Sequence, residues 1–588
     1  MNAVSRTLVI AFLAALPVFM GVGLCGCGRQ SSTGSAANRT RAERVYRDDL
    51  FASAVSSLNS LEEFDAGGSF AEVLRRMDIA QNPGKALHQT QNDPLWATWP
   101  QPPVLRQIVD RLNLWMQGAS AKDANWNADP MLAELPSPLR ELPELQRLDA
   151  LGFDDYDGFA LVEAIWMRDV AGWAHGDRLD DLSRAQALFD WTMRNIGDDL
   201  TPDGLPSEVP QVPWETLLYG RGSVWERAWV FISMARQLGI EAAVLAITDE
   251  SGTPKPWAVG VLSGDKVYVF DPLVRLPLTK RDGLAWRDGR LSIEPATLAE
   301  LAADEAALRQ HDIEGPDGRA YPVRAEQLER VTVWLDASPF ALSLRARLIE
   351  SRLTGTDRVV LSASPSMRAA RWRKIGQVAE VGLWEVPWRT LQSRRTFTAE
   401  QVIQRLLALS YFYGDGSSVP LRRGRLLHLK GKLVGKDSAS AWYQQSRPAN
   451  EDMREELRKI VAQEEKRIAQ MPEDRRAAEI AQIEALINLQ VQLAQRTKLD
   501  ATYWLALVAY EREKYASAKH YLEERVLPVD ADRTWTAAAR YNLGRVLERL
   551  GNVPAAIEVY RSDAPGLARP AMLLRAQWLQ RAASRGDE

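Results

Sequence analysis

Apolar residues fall along this chain in several distinct rhythms, and each predicts a different kind of structure. The first is an unbroken run, Leu8 to Leu24, with no charge in it and one cation, Arg6, ahead of it. A basic start before an apolar core is the pattern of a secretory leader, although the run is also about as long as a membrane-spanning helix requires. The small polar stretch from Gly28 to Ser35 has no periodicity and reads as a flexible tether. Helical spacing begins next. Val45, Leu50, Phe51, Val55 and Leu58 share one face within Arg41 to Leu61. Pro102-Pro103 breaks the chain ahead of a second amphipathic run, Val104 to Met116, and the proline-rich Pro130 to Pro143 predicts a loop.

Farther on, helical spacing gives way to alternation. Leu182, Ala185, Leu188, Phe189 and Thr192 make a stripe over Asp180 to Asn195, and Gly197 to Pro213 reads as a loop. A second helix is predicted over Val224 to Leu238. Ser223 with Glu226 three residues later forms a capping box at its start, and Gly239 stops it. Three strands follow, at Ala242 to Thr248, Trp257 to Leu262 and Lys266 to Phe270, with turns at Ser251-Gly252 and Ser263-Gly264-Asp265. Two helices followed by an antiparallel sheet form an α+β unit. Between 311 and 440 the alternation is looser, with candidate strands at Val331 to Leu335, Arg358 to Leu361 and Val378 to Val386 and no assignable chemistry. From Asp452 the spacing is helical to the end, broken at Pro472. Tyr503-Trp504-Leu505-Ala506 with Tyr515-Ala516-Ser517-Ala518 resembles Tyr541-Asn542-Leu543-Gly544 with Val553-Pro554-Ala555-Ala556. Gly544 stands 38 residues after Ala506, and Ala556 the same distance after Ala518. That is a helical-hairpin repeat with small residues where helices touch; the alternative is a plain helical bundle.

The sequence thus divides into a leader (1–26), a tether (27–40), a mostly helical region (41–150), an α+β domain (151–310), a mixed α/β region (311–440) and an all-α end (441–588). A chain of 588 residues is too long for one core. Its net charge of −4, without a long basic run, gives no footprint for nucleic acid. The 20 Trp are read first as core packing, which leaves a glycan partner open. Both cysteines, Cys25 and Cys27, lie in the leader, so the body holds no disulfide and no thiol nucleophile. The five histidines, His88, His175, His311, His428 and His520, are scattered, so neither a metal nor a cofactor is indicated.

Three resemblances sharpen these expectations. Leu24-Cys25-Gly26-Cys27 resembles the lipobox of bacterial lipoproteins, which implies cleavage before Cys27, a lipid on Cys27, and a body held at the membrane of the cell envelope. Ordinary cleavage or an uncleaved anchor are the alternatives. Residues 441–588 hold a copy, Tyr541 to Tyr560, similar to a tetratricopeptide repeat in its Leu-Gly, Leu-Gly-Asn and Ala-Ala positions; the linker Glu523 to Thr534 would be longer than usual.

The stretch from about 180 to 280 resembles the transglutaminase-like superfamily, a papain-like fold. Ala235-Arg236-Gln237-Leu238-Gly239-Ile240 matches the end of that family's catalytic helix, Val269-Phe270-Asp271-Pro272 its last strand, and Phe189-Asp190-Trp191 the helix before. The resemblance implies a Cys at the helix start, whose thiolate the helix dipole favours, a His that takes its proton and an Asp that orients the His. Here the three positions fall on Val224, on or beside Trp257 within Lys255-Pro256-Trp257-Ala258-Val259, and on Asp271. Valine has no nucleophile and tryptophan no usable base, so thiol acyl transfer is not expected, and Asp271 is left to cap a turn before Pro272. Ser223 and His175 are the weak substitutes; as an N-cap, Ser223 is already explained. Asp154-Asp155, Asp180-Asp181 and Asp198-Asp199 read as solvated loop or helix-start charges.

The expectation is therefore a non-catalytic, lipid-anchored envelope protein. Its degenerate transglutaminase-like module would hold a peptide or glycan, and residues 441–588 would engage protein partners. The rivals are a hydrolase or acyl transferase of the same fold with a non-cysteine site, and a structural spacer of the envelope.

Overall fold

The computed structural model describes residues 36–61, 103–117 and 126–586, apart from 201–206, 208, 250, 288–289, 317, 414–417, 448–449 and 563–566. The leader, Cys27 and the start of the tether lie outside the described residues. Among the described residues no helix is long and apolar enough to cross a membrane. Contacts divide the chain into two units, Met1–Asp49 and Leu50–Glu588. Helix α1 (Ala36–Asn59) begins in the first and ends in the second, and all the other helices and strands belong to the second.

Local sequence accounts for the helices that frame the site. Helix α2 (Pro103–Met116) buries Leu105, Ile108 and Leu112, with Ala54 and Leu58 of α1 in the same core. Helix α3 (Asp155–Ala174) starts on a capping box of Asp154 and Asp157. It buries residues on most sides, so it shows no clean stripe in the sequence. Helix α4 (Asp181–Asn195) is capped by Asp180, whose carboxylate accepts Ser183 N. Helix α5 (Pro213–Tyr219) ends on Gly220, at φ 65°. Helix α6 (Val224–Gln237) has the capping box its sequence predicts: Ser223 Oγ accepts Glu226 N at 3.3 Å, and Glu226 Oε2 accepts Ser223 N at 2.7 Å.

The sheet is built from strands β1 (Glu241–Thr248), β2 (Pro254–Ser263), β3 (Lys266–Asp271), β4 (Leu276–Pro277), β5 (Val331–Leu335) and β6 (Val378–Leu383), in the spatial order β6-β5-β1-β2-β3-β4. All neighbours are antiparallel except β5 and β6. Alternation sends Ala242, Val244, Val259, Val261 and Phe270 into one core with α4 and α6. It sends Ala243, Leu245, Ala258, Val267 and Val269 into the other. The sheet continues past residue 310, so residues 311–440 supply two of its six strands.

The expected strand at Arg358 to Leu361 is not one. Its backbone is met instead by a side chain: the Gln237 amide donates to Val360 O and accepts Val360 N, both at 2.9 Å. Strand β6 stops at Leu383, because a helix begins at Val386. The loop expected over Pro130 to Pro143 holds a 3-10 turn, Pro130–Glu134, and a helical turn, Ser137–Arg140. Gly197–Asp198, after α4, pairs in parallel with Arg221–Gly222, after α5.

Helix α7 (Pro365–Trp372) packs beside β5 and β6. The C-terminal part contains helices α8 (Asn450–Ile468), α9 (Glu473–Glu511), α10 (Tyr515–His520), α11 (Thr536–Arg549), α12 (Val553–Arg561) and α13 (Arg569–Gly586). Gly544 of α11 lies against Tyr560 of α12, where an added Cβ would fall 2.3 Å from the ring. The hairpin helices are joined to the domain by specific bonds. Arg194 meets Glu511 at 2.7 Å, Arg545 meets Asp190 at 2.6 Å, and Asn542 Nδ2 donates to Arg194 O at 3.0 Å.

Candidate functional site

Strand β2 enters the sheet irregularly. Leu245 pairs with Ala258, but Ala246 pairs with Pro256, so Trp257 is the extra residue of a β-bulge. Proline has no N–H for the ladder and is tolerated at such a point. A bulge also re-aims the side chain it carries. Here it turns Trp257 into a cleft of about 360 Å³, lined by Val224 and Trp225 from the start of α6, by Lys255 and Trp257 from β2, and by Asp271 at the end of β3. The three positions expected from the sequence, Val224, Trp257 and Asp271, therefore meet in one cleft.

Their chemistry is not that of a nucleophile, a base and an orienting acid. Trp257 Nε1 donates to the Tyr321 hydroxyl at 2.8 Å, and that hydroxyl donates to Asp271 Oδ2 at 2.6 Å. Asp271 Oδ1 accepts Leu273 N at 2.7 Å and Val274 N at 3.3 Å, the turn-capping role expected of it. Tyr321 stands between the aromatic ring and the acid. Nothing in the local sequence marks it, since it arrives from a segment far along the chain. That segment is held by the last helix: Trp578 Nε1 donates to Gln310 O at 3.1 Å, Gln577 Nε2 donates to Asp312 O at 2.9 Å, and the Trp578 ring meets His311, which meets Tyr321.

Burial pushes the Asp271 carboxyl up to about 6, and the bonds from Tyr321, Leu273 and Val274 act against it. A carboxyl raised in the folded state stabilises the fold fully below its unfolded pKa, near 4, and loses that contribution as pH rises through the folded value. The wild-type chain should therefore lose on the order of 3 kcal/mol from this group between about pH 4 and neutrality. Asp271→Asn should lack that part of the slope. Chemical unfolding of both proteins over this range checks it, and parallel pH profiles would refute it.

Ser223 and His175 do not come together in the cleft. Ser223 is used as the N-cap of α6: its hydroxyl oxygen accepts Glu226 N, and its side chain also meets the Glu226 carboxylate of the same capping box. His175 caps the far end of α3, its pKa is lowered by burial and by Arg184, and it does not line the cleft. Among the described residues no group of three His, Cys, Asp or Glu could hold a metal ion.

One acidic pair departs from expectation. Asp154 and Asp180 are helix caps, but Asp198 is buried. It accepts from Arg227 Nη1 at 2.5 Å and from Arg275 Nη2 at 2.7 Å, both nearly inaccessible to solvent. Arg227 sits in the first turn of α6, so this cluster fixes the helix start from behind. Arg275 takes a left-handed backbone, φ 56°, and lies over the Tyr541 ring at 5.2 Å.

Residues 168–281 match the family described as the Transglutaminase-like superfamily, so the chain carries a transglutaminase-like domain. No curated protein and no solved structure matches the chain.

Proposed function

We propose that the transglutaminase-like domain is a binding module that does not catalyse acyl transfer, and that the chain is held at the cell envelope by a lipid on Cys27. The observation that carries this reading is the cleft itself. By the family pattern Val224 falls at the nucleophile position and Trp257 at or beside the base position; both line this cleft, and Tyr321 hydrogen-bonds the second oxygen of Asp271. Two aromatic side chains, Trp225 and Trp257, with Gln327 and the Lys255–Asp249 pair at 2.7 Å, offer stacking surfaces and hydrogen bonds to an extended peptide or a glycan.

The helical end carries the second part of the reading, engagement of protein partners through tetratricopeptide-like hairpins. The long helix α9, 39 residues and about 58 Å, is buried over residues 500–510, while near its start Glu479 pairs with Arg467 of α8. That two-helix arm is the part of 441–588 best placed to meet another protein.

Purified full-length protein should incorporate no fluorescent amine into a glutamine donor, and release no amine from peptide amides, above the level of its Ser223→Ala and His175→Ala variants. Turnover that either substitution abolishes would favour the rival reading, a hydrolase or acyl transferase of this fold with a serine or histidine site.

A further inference from the structure

A second cavity, of about 210 Å³, lies at the opposite end of α6 from the Val224 cleft. Three guanidinium groups line it: Arg236 in the last turn of α6, and Arg368 and Arg371 on α7. Two carboxylates answer them. Asp336 pairs with Arg236, and Glu241 pairs with Arg368 at 3.4 Å and with Arg371 at 2.6 Å. Arg368 also donates to Asp336 O at 3.1 Å and to Ala242 O at 2.8 Å. Glu163 also feels Arg236 and Asp336, but burial pushes its carboxyl up to about 8, and Glu350 is committed to the backbone behind the wall, where it accepts Leu361 N at 2.9 Å and Ser362 N at 2.5 Å. The cavity thus has one more guanidinium than carboxylates in direct contact with it. Burial, then the charge of Arg236, lowers the Arg368 pKa to about 10, the mark of like charges sharing a poorly hydrated space. Ser362 and Ser364 complete the wall, and among the described residues neither hydroxyl has a hydrogen-bond partner.

The surroundings carry the same sign. In a chain of net charge −4, residues 345–374 hold eight Arg and Lys against two Asp and Glu. Arg347, Arg352, Arg358, Arg373 and Lys374 are exposed and make no ion pair among the described residues. Such a concentration raises the local density of anions around the cavity mouth, where Arg371 is 63% exposed.

We propose that this cavity binds a phosphate group, with Arg371 as its outer contact, Arg236 as its inner one, and the Ser362 and Ser364 hydroxyls as further donors. A tetrahedral phosphate can accept from several converging donors at once, and guanidinium forks suit its oxygens. The cavity is larger than a bare phosphate needs, so an ester substituent is accommodated. A free phosphate ester and a phospholipid headgroup present the same chemistry.

Equilibrium dialysis of the full chain at low salt against inorganic phosphate and against glycerol 3-phosphate tests this. The expected result is one saturable site for phosphate, weakened about tenfold in Arg371→Ala, largely kept in Arg371→Lys and changed less than about twofold in Arg373→Ala. Tighter binding of glycerol 3-phosphate would identify a headgroup-like ester; equal binding would identify free phosphate. No saturable uptake of either probe would overturn the proposal. So would equal losses in Arg371→Ala and Arg373→Ala, which would mean a diffuse field and no site. Arg371 is exposed, so its variants should fold, and circular dichroism confirms that before binding is read.

Discussion

Replacing Asp198 with alanine should cost about 3–5 kcal/mol of folding stability, because it strips the counter-charge from two buried guanidinium groups. Arg227 and Arg275 are 0% and 1% exposed in their side chains, and Asp198 Oδ1 receives both. Backbone carbonyls cannot replace it: Arg227 Nη1 reaches Gly222 O at 3.2 Å and Gly197 O at only 3.4 Å. Denaturant unfolding should show a lower midpoint with an unchanged slope. The neighbouring Asp199→Ala is the control. That side chain is partly exposed, lies 3.9 Å from Arg221 and accepts Gln211 Nε2, so its loss should cost under about 1 kcal/mol. Equal effects at 198 and 199 would remove the claim that the buried cluster fixes the start of α6. Acid should act in the matching direction. Burial works to raise the Asp198 carboxyl, but Arg275 and Arg227 outweigh it and hold it low. Its contribution is therefore present above the usual carboxylate range and lost only as pH falls through the depressed folded value.

Trp504→Ala should cost about 3–5 kcal/mol, the range for emptying a large aromatic site in a packed core. The side chain is fully buried, with the rings of Phe412, Tyr443 and Trp535 at 6.0, 5.6 and 6.2 Å and the Arg425 guanidinium at 5.0 Å. Those neighbours come from separate segments of the chain, and Arg425 reaches into the transglutaminase-like domain, donating to Leu217 O at 2.6 and 3.0 Å. Trp504 is therefore a junction between the helical hairpins and the domain. Thermal unfolding followed at two wavelengths should show a lowered midpoint, and a variant within about 1 kcal/mol of wild type would refute this role.

The elements that local chemistry decides were legible in the sequence. The capping box of Ser223 and Glu226 marks the start of α6 to the residue, and alternation marks β1, β2 and β3 within a few residues. Val331 to Leu335 also reads as a strand, but nothing local says that it pairs with β1 and closes a six-stranded sheet. Partner choice is a property of the packed whole. The extended run at Arg358 to Leu361 misled for a related reason: extended backbone can be satisfied by one glutamine side chain as well as by a strand. At the site, motif spacing placed Val224, Trp257 and Asp271 together. It could not supply Tyr321, which lies 50 residues beyond Asp271 and enters through tertiary packing. Asp198 looks like any loop acid until two arginines from distant segments converge on it.

The way the sheet is assembled bears on any attempt to excise the recognisable part. A fragment cut at 168 and 281 would keep β1 to β4 but leave β5 and β6 behind. The β1 backbone that now bonds to β5 at Val244, Leu245 and Ala246 would become an open, apolar edge. Such edges recruit other strands, so the fragment should self-associate into aggregates, whereas the intact polypeptide buries the same edge within itself.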